Sequence, residues 1–327
     1  MTTTPSVFTA HDVPDLINAL PTLFGFRPDE SLVAVATSGP RRRFGFRLRM
    51  DLPPPAEVDA AAATVVRHLL NQGAEGAIVI ALTEQQDVAL DLLDAVHGIL
   101  DDTDGIELIV RARADGRRYW TDEPGSSPDG RPYETSDHHL SIVQAVAAGQ
   151  QILPSREALA GRFRPVAGER RRWLEQTAAV VLDEVVPQVA RTAPGGLAAT
   201  GMAVVVPTLD RARAGLPVTD GDLLRLAAWV STVSVRDEVW GLMNRENAAE
   251  MLGALTTVSA SVVPPFEPAV LSLAAFAAWL VGDGAQALIA VERALKADPC
   301  YSMAGLILQI LEGGISPDHW AGLPTAS

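Results

Sequence analysis

The sequence has little of several features that define common protein classes. Its single cysteine, Cys300, excludes an internal disulfide and any zinc site built from several cysteines. Its longest apolar run, residues 269–281, is shorter than the ~20 residues that a membrane-spanning helix needs. The first residues also lack the charged and apolar regions of a signal peptide, so we expect a soluble cytoplasmic protein without membrane association.

Basic residues are scarce as well. The chain of 327 residues carries 26 Lys and Arg against 40 Asp and Glu, which gives a formal net charge of −14. That balance argues against general nucleic-acid binding, because such proteins neutralise phosphates with a basic surface. Lys296 is the only lysine, and this arginine-rich, alanine-rich usage suggests a GC-rich genome such as that of an actinobacterium.

The sequence contains none of the short signatures that identify common catalytic or cofactor sites. It has no GxGxxG or GxxxxGK[ST] phosphate loop and no GxSxG nucleophile turn. His138 and His139 are adjacent, so on a helix they point about 100° apart and do not share a face, and we expect no metal site. The cofactor is therefore unknown, and enzymatic activity stays open.

The first half of the chain alternates between strand and helix patterns. Apolar runs predict buried strands at 31–37 and 77–82, and period-two alternation predicts a strand over 44–52. A further strand is predicted over 106–113. Amphipathic spacing predicts helices over 11–20, 56–72 and 84–100. This order indicates an α/β domain, residues 1–165, with a mixed sheet covered by helices.

The second half shows helix after helix, separated by segments rich in proline and glycine. We predict an α-helical domain over residues 166–327, beginning after the RFRPVAG segment at 162–168. Its predicted helices are 169–191, 197–214, 220–231, 235–244, 247–261, 267–281, 284–297 and 301–313. The fold class is therefore α/β followed by all-α, ending in a C-terminal helical bundle.

The segment GDGAQALIAVERALKADP resembles one tetratricopeptide unit. Counted from the turn glycine Gly282, small or apolar side chains and a final proline follow at the spacing of the second helix of that repeat. These residues are Ala287, Val291, Ala294 and Pro299. No second clear copy occurs, so the pattern predicts a tetratricopeptide-like helical hairpin at the end of the bundle. An ordinary helical hairpin packed into the bundle is the simpler explanation of the same spacing, because a single unit cannot build the groove of a repeat array.

Several longer stretches resemble a known family. LPTLFGFRPDESLVAV, RFGFRLRMDLP, DGRRYW (115–120) and VRDEVWGLM (235–243) are similar to the actinobacterial domain of unknown function 4192 family. The resemblance covers nearly the whole chain but implies no activity, since none is recorded in the family's name. Ser126 and Ser127 stand where family members often carry cysteines, so the resemblance implies no thiolate role for that loop here.

Five charged residues form our candidate ligand site. We expect Arg27, Arg47, Asp51, Arg117 and Arg156 to converge at the strand ends of the α/β domain, where an anionic ligand would bind. The alternatives are structural: a tight turn around Arg27, a solvated strand face for Arg47 and Asp51, and a helix cap before Arg156.

Two hypotheses on function remain. The first is a non-catalytic interaction or regulatory protein whose acidic helical half binds a protein partner or self-associates; it rests on the tetratricopeptide-like segment and on the missing catalytic signatures. The second is a small-molecule binder or enzyme that uses the candidate site.

Overall fold

The computed structural model describes residues 9–320 and residue 322. Within them the chain forms two compact units that divide between Leu159 and Ala160. The first unit combines a mixed sheet with helices, and the second consists of helices. The predicted fold class, α/β followed by all-α, is confirmed. The division lies shortly before the predicted boundary after residue 165.

The first unit alternates strands and helices. Its helices are α1 (Val13–Phe24), α2 (Val58–Asn71), α3 (Gln86–Asp101), α4 (Leu140–Ala147) and α5 (Arg156–Gly161), the last of which runs on past the division. Its strands are β1 (Ser31–Ser38), β2 (Arg43–Asp51), β3 (Gly76–Leu82), β4 (Glu107–Ala114), β5 (Arg118–Thr121) and β6 (Arg131–Pro132).

The strands form one mixed sheet in the described part of the chain, in the order β2-β1-β3-β4-β5-β6. Strand β1 pairs antiparallel with both β2 and β3, whereas β3 and β4 are parallel and are joined by α3. Helices α2 and α3 pack on the sheet through fully buried side chains such as Val65, Leu69 and Leu92. The central strands β1 and β3 are therefore covered by apolar packing, as their continuous apolar sequences predict.

Helix α1 is longer than its apolar spacing predicts. It begins after Asp12, whose carboxylate accepts a hydrogen bond from the Asp15 amide at 2.8 Å, and it continues through Pro21 to Phe24. A proline removes one helical hydrogen bond, but the turn after it can still close. Here Gly25 closes it with φ of 73°, a left-handed conformation that glycine adopts without strain, and its amide donates to the Pro21 carbonyl.

The segment after α1 is tied to a distant part of the unit. The Arg27 amide donates to the Leu153 carbonyl at 3.0 Å, and the Leu153 amide donates to the Gly25 carbonyl at 2.8 Å. Phe26 between them is 1% exposed. This pairing brings the start of α5 beside the loop that leads into β1.

The second unit is all-helical. Its helices are α6 (Gly168–Arg191), α7 (Leu197–Arg213), α8 (Asp220–Val230), α9 (Val233–Gly241), α10 (Ala248–Ser261), α11 (Glu267–Val281), α12 (Gly284–Ala297) and α13 (Ser302–Glu312). Each corresponds to a predicted helix, because apolar periodicity and helix-ending glycines and prolines are local signals.

Helices α11 and α12 form the hairpin that the sequence predicts. Gly282 ends α11 with φ of 84°, and Asp283 caps α12 by accepting a hydrogen bond from the Gln286 amide at 2.9 Å. Ala287, Val291 and Ala294 are fully buried, as small residues at a close helix contact should be. The tetratricopeptide-like nature of this hairpin stays a prediction.

A buried ion pair holds the end of α10, the start of α11 and α12 together. Arg293 on α12 contacts Glu267 at 3.0 Å and donates to the carbonyls of Ser259 and Phe163. The two side chains are 16% and 12% exposed. Burial lowers the pKa of Arg293, and Glu267 partly offsets that change.

Candidate functional site

The ends of four strands meet at one edge of the sheet. In the strand register Ser31, the first residue of β1, lies opposite Asp51 of β2 and Leu82 of β3, and Leu82 lies opposite Ala114 of β4. The carboxyl ends of parallel β3 and β4 therefore share this edge, which is where open α/β sheets bind ligands.

A cleft of about 740 Å³ lies at this edge, entirely within the first unit. It is bounded by α1, the loop before β1, the strand ends and the start of α5. Its charged lining residues are Arg27, Arg49, Arg156, Asp29, Glu30, Asp51, Glu84, Asp115 and Glu157. Apolar residues, among them Leu20 and Phe26, complete it on the α1 side. We call this space the strand-end cleft.

The cleft brings together three of the five predicted site residues. Arg27, Asp51 and Arg156 line it, whereas Arg47 and Arg117 do not. Arg47 lies four residues before Asp51 on β2, about 13 Å along the strand from the edge. Arg117 is exposed in the turn between β4 and β5, and its amide donates to Asp115.

Arg49 is a cleft residue that the predicted set does not contain. Its side chain is only 13% exposed; it contacts the Asp51 carboxylate at 2.5 Å and donates to the Asp29 carbonyl at 3.1 Å. Its Nε is buried and makes no hydrogen bond within the described residues. The alternation of β2 places it on the same face as Asp51, one pleat closer to the edge than Arg47. That alternation is the signal that could have identified it.

Glu30 connects two strand ends. Its carboxylate accepts hydrogen bonds from the Thr83 hydroxyl at 2.8 Å and from the Gln85 side chain at 3.1 Å, both in the loop after β3. Glu30 has a φ of 40°, a conformation that costs a non-glycine residue on the order of 1 kcal/mol. These hydrogen bonds therefore help to hold a strained backbone in place at the cleft.

Asp115 and Tyr133 form the β4 side of the cleft. Burial raises the pKa of Asp115, but hydrogen bonds from the amides of Arg118 and Arg117 lower it by more than burial raises it. The pKa of Asp115 therefore lies below its usual value. Burial raises the pKa of the Tyr133 phenol, as do the Asp115 and Asp29 carboxylates, while a hydrogen bond with the Gly116 backbone opposes the change. Asp115 is thus ionised and Tyr133 neutral near neutral pH.

The DGRRYW stretch has a structural role. Arg118 donates to the carbonyls of Asp129 and Gly130 at 3.0 Å, which holds the loop after β5. Trp120 lies under the Arg113 guanidinium, 3.7 Å from the ring centre, and donates to the Pro128 carbonyl. These contacts anchor the turn that carries Asp115.

The described residues contain neither a metal-ligating cluster nor a membrane-spanning helix. Among residues 9–320 and 322, no group of three or more His, Cys, Asp and Glu side chains is arranged to hold a metal ion. His139 contacts the Ser141 hydroxyl at 2.8 Å and the Asp15 carboxylate at 3.3 Å. No described helix combines the length and apolar character required to cross a bilayer.

The structure defines a two-unit protein: a mixed α/β unit with a charged strand-end cleft is followed by an all-helical unit. The chain belongs to the family described as Domain of unknown function (DUF4192), which it matches over residues 14–318. No curated protein and no solved structure matches the chain.

Proposed function

We propose that this protein binds a small polar molecule in the strand-end cleft. The observation that carries the proposal is the cleft itself: about 740 Å³ at the carboxyl ends of two parallel strands, with charged side chains beside an apolar wall. Its volume lies within the ~300–1,000 Å³ of ligand pockets. The lining of the cleft by Arg27, Asp51 and Arg156 supports the proposal, whereas Arg47 and Arg117 do not line it.

A metabolite screen read by thermal unfolding tests this proposal. A ligand that binds the native state raises the melting temperature in a saturable manner. In Thr135→Trp a large ring occupies the cleft mouth, and this exposed residue makes no side-chain hydrogen bond within the described residues. The rise should disappear in Thr135→Trp and persist in Ala63→Trp, a control on the exposed face of α2. A rise that survives Thr135→Trp would place binding outside the cleft and refute the proposal.

A second proposal is an interaction or regulatory role, with a protein partner or a second copy bound by the helical unit. Trp173 and Val180 on α6 are 56% and 58% exposed and lie seven residues apart, on one helix face. Light scattering of the chain and of Val180→Asp tests self-association: a dimer that dissociates in the variant supports it, and a monomer in both argues against it.

The expectations on source, location and the C-terminal hairpin are proposals too. We propose a cytoplasmic, actinobacterial protein without general nucleic-acid binding, whose α11–α12 hairpin is tetratricopeptide-like. The net charge of −14 supports the absence of general nucleic-acid binding, and the scarcity of lysine supports an actinobacterial source. The spacing of small buried residues along α12 supports the tetratricopeptide-like hairpin.

A further inference from the structure

Two of the three arginines that line the strand-end cleft are already engaged by carboxylates. Arg27 forms an ion pair with Asp137, which lies outside the lining, and Arg49 pairs with Asp51 at 2.5 Å. An anionic ligand would therefore compete with carboxylates that are part of the same chain. Arg27 and Arg49 therefore give no reason to expect an anion in the cleft.

Carboxylates outnumber guanidinium groups in the lining. Three arginines face six Asp and Glu side chains among the described residues, a formal balance of 3 − 6 = −3. Glu84 is exposed and makes no side-chain hydrogen bond or ion pair within them. Asp29 likewise has no ion-pair partner in that part of the chain, and its carboxylate accepts only the adjacent Glu30 amide. Two carboxylates that line the cleft thus have no ion-pair partner among the described residues.

Part of the lining forms an apolar wall. Leu20, Phe26 and Leu82 line the cleft and are 2%, 1% and 7% exposed, so they are fixed by the core behind them. A ligand that lies between this wall and the carboxylates would therefore contact hydrocarbon at one side and negative charge at the other. A cation with a hydrocarbon portion would match both surfaces, whereas a bare metal ion would leave the apolar wall without a contact.

We infer that the ligand of the strand-end cleft is a small organic cation, with an ammonium or guanidinium group bound by Glu84 and Asp29 and a hydrocarbon portion on the Leu20–Phe26 wall. This inference rests on the proposed function, because it specifies the chemical class of the molecule that the cleft binds. Opposite charges at close range in a partly enclosed site attract more strongly than in open solvent.

Calorimetric titration of the full chain with three probes of similar length tests the inference. Agmatine carries two positive groups on a butyl chain, adipate carries two carboxylates, and butanediol is neutral. We expect saturable binding of agmatine alone, weakened by added salt. Glu84→Gln should weaken it by about fivefold, the effect of one unit charge at contact distance in water. Glu57→Gln, an exposed site outside the cleft, should leave it unchanged.

The outcomes separate the inference from the proposed function. Saturable binding of adipate or butanediol but not agmatine, abolished by Thr135→Trp, would overturn the cationic class and leave the cleft as a binding site. Agmatine binding that is unaffected by Glu84→Gln would also overturn it. If none of the three probes binds, the cationic class is overturned, whereas the proposed function stands or falls with the metabolite screen.

Discussion

Replacing Arg293 with alanine should destabilise the helical unit by about 3 kcal/mol. The substitution leaves Glu267, whose side chain is 12% exposed, without its partner at 3.0 Å, and it removes the donor to the Ser259 and Phe163 carbonyls. Breaking a buried ion pair from one side costs roughly 3–5 kcal/mol. Arg171 lies 3.9 Å from the same carboxylate and retains part of the compensation, so we expect the lower end.

Urea unfolding followed by tryptophan fluorescence measures this change. Five of the six tryptophans belong to the helical unit, so the signal reports mainly on it: Trp173, Trp229, Trp240, Trp279 and Trp320. Arg172→Ala is the matched control, since its side chain is 71% exposed and lies 4.0 Å from an exposed Glu169. We expect that control to change the free energy of unfolding by less than about 0.5 kcal/mol.

A second variant isolates the buried charge as the cause. Arg293→Leu combined with Glu267→Leu removes both charges, and the double variant should be more stable than Arg293→Ala, because no unpaired carboxylate stays buried. If Arg293→Ala unfolds at the same urea concentration as Arg172→Ala, the ion pair does not stabilise the helical unit and the reasoning is refuted.

Three further substitutions test local features of the fold. Asp115→Ala should cost about 1–2 kcal/mol near neutral pH. Folding lowers the pKa of Asp115, so the carboxylate stabilises the fold fully above its unfolded pKa of ~3.9, and this stabilisation is lost as pH falls through the folded pKa. The free energies of urea unfolding of variant and parent should therefore converge in acid. A difference that stays constant with pH would contradict this. Gly130→Ala should cost about 2 kcal/mol, because φ is 72° and the added Cβ would lie 2.5 Å from the Trp120 ring; unchanged near-ultraviolet circular dichroism and stability would argue against it. Trp320→Ala removes a ring stacked on Trp240 at 6.0 Å and should cost about 2 kcal/mol in thermal unfolding, whereas Trp320→Phe should retain most of that stability.

Local sequence signals predict the elements well and the site only in part. The helices from α6 to α13 follow from apolar periodicity and from glycines such as Gly282, which act within a few residues. Local patterns do not predict the short strand β6, because its pairing with β5 depends on contacts across a loop rich in proline and glycine.

The cleft depends on strand register, which local patterns do not fix. Asp51 could be predicted because it ends an alternating strand, but the choice between Arg47 and Arg49 needs the position of the sheet edge. Asp115 and Glu30 become neighbours of that edge only through the pairing of β1, β3 and β4, whose residues are far apart in sequence. Arg117 directly follows Gly116, which lines the cleft, but does not line it itself, a difference that composition does not reveal.

Amide chemical-shift mapping by NMR during agmatine titration tests the central claim most directly, because it locates bound ligand on the chain. The account predicts saturable shifts concentrated at the loops of the strand-end cleft, around Glu30, Thr83, Glu84 and Asp115, and their loss in Thr135→Trp. Shifts concentrated elsewhere in the chain, or none at saturating agmatine, would contradict it.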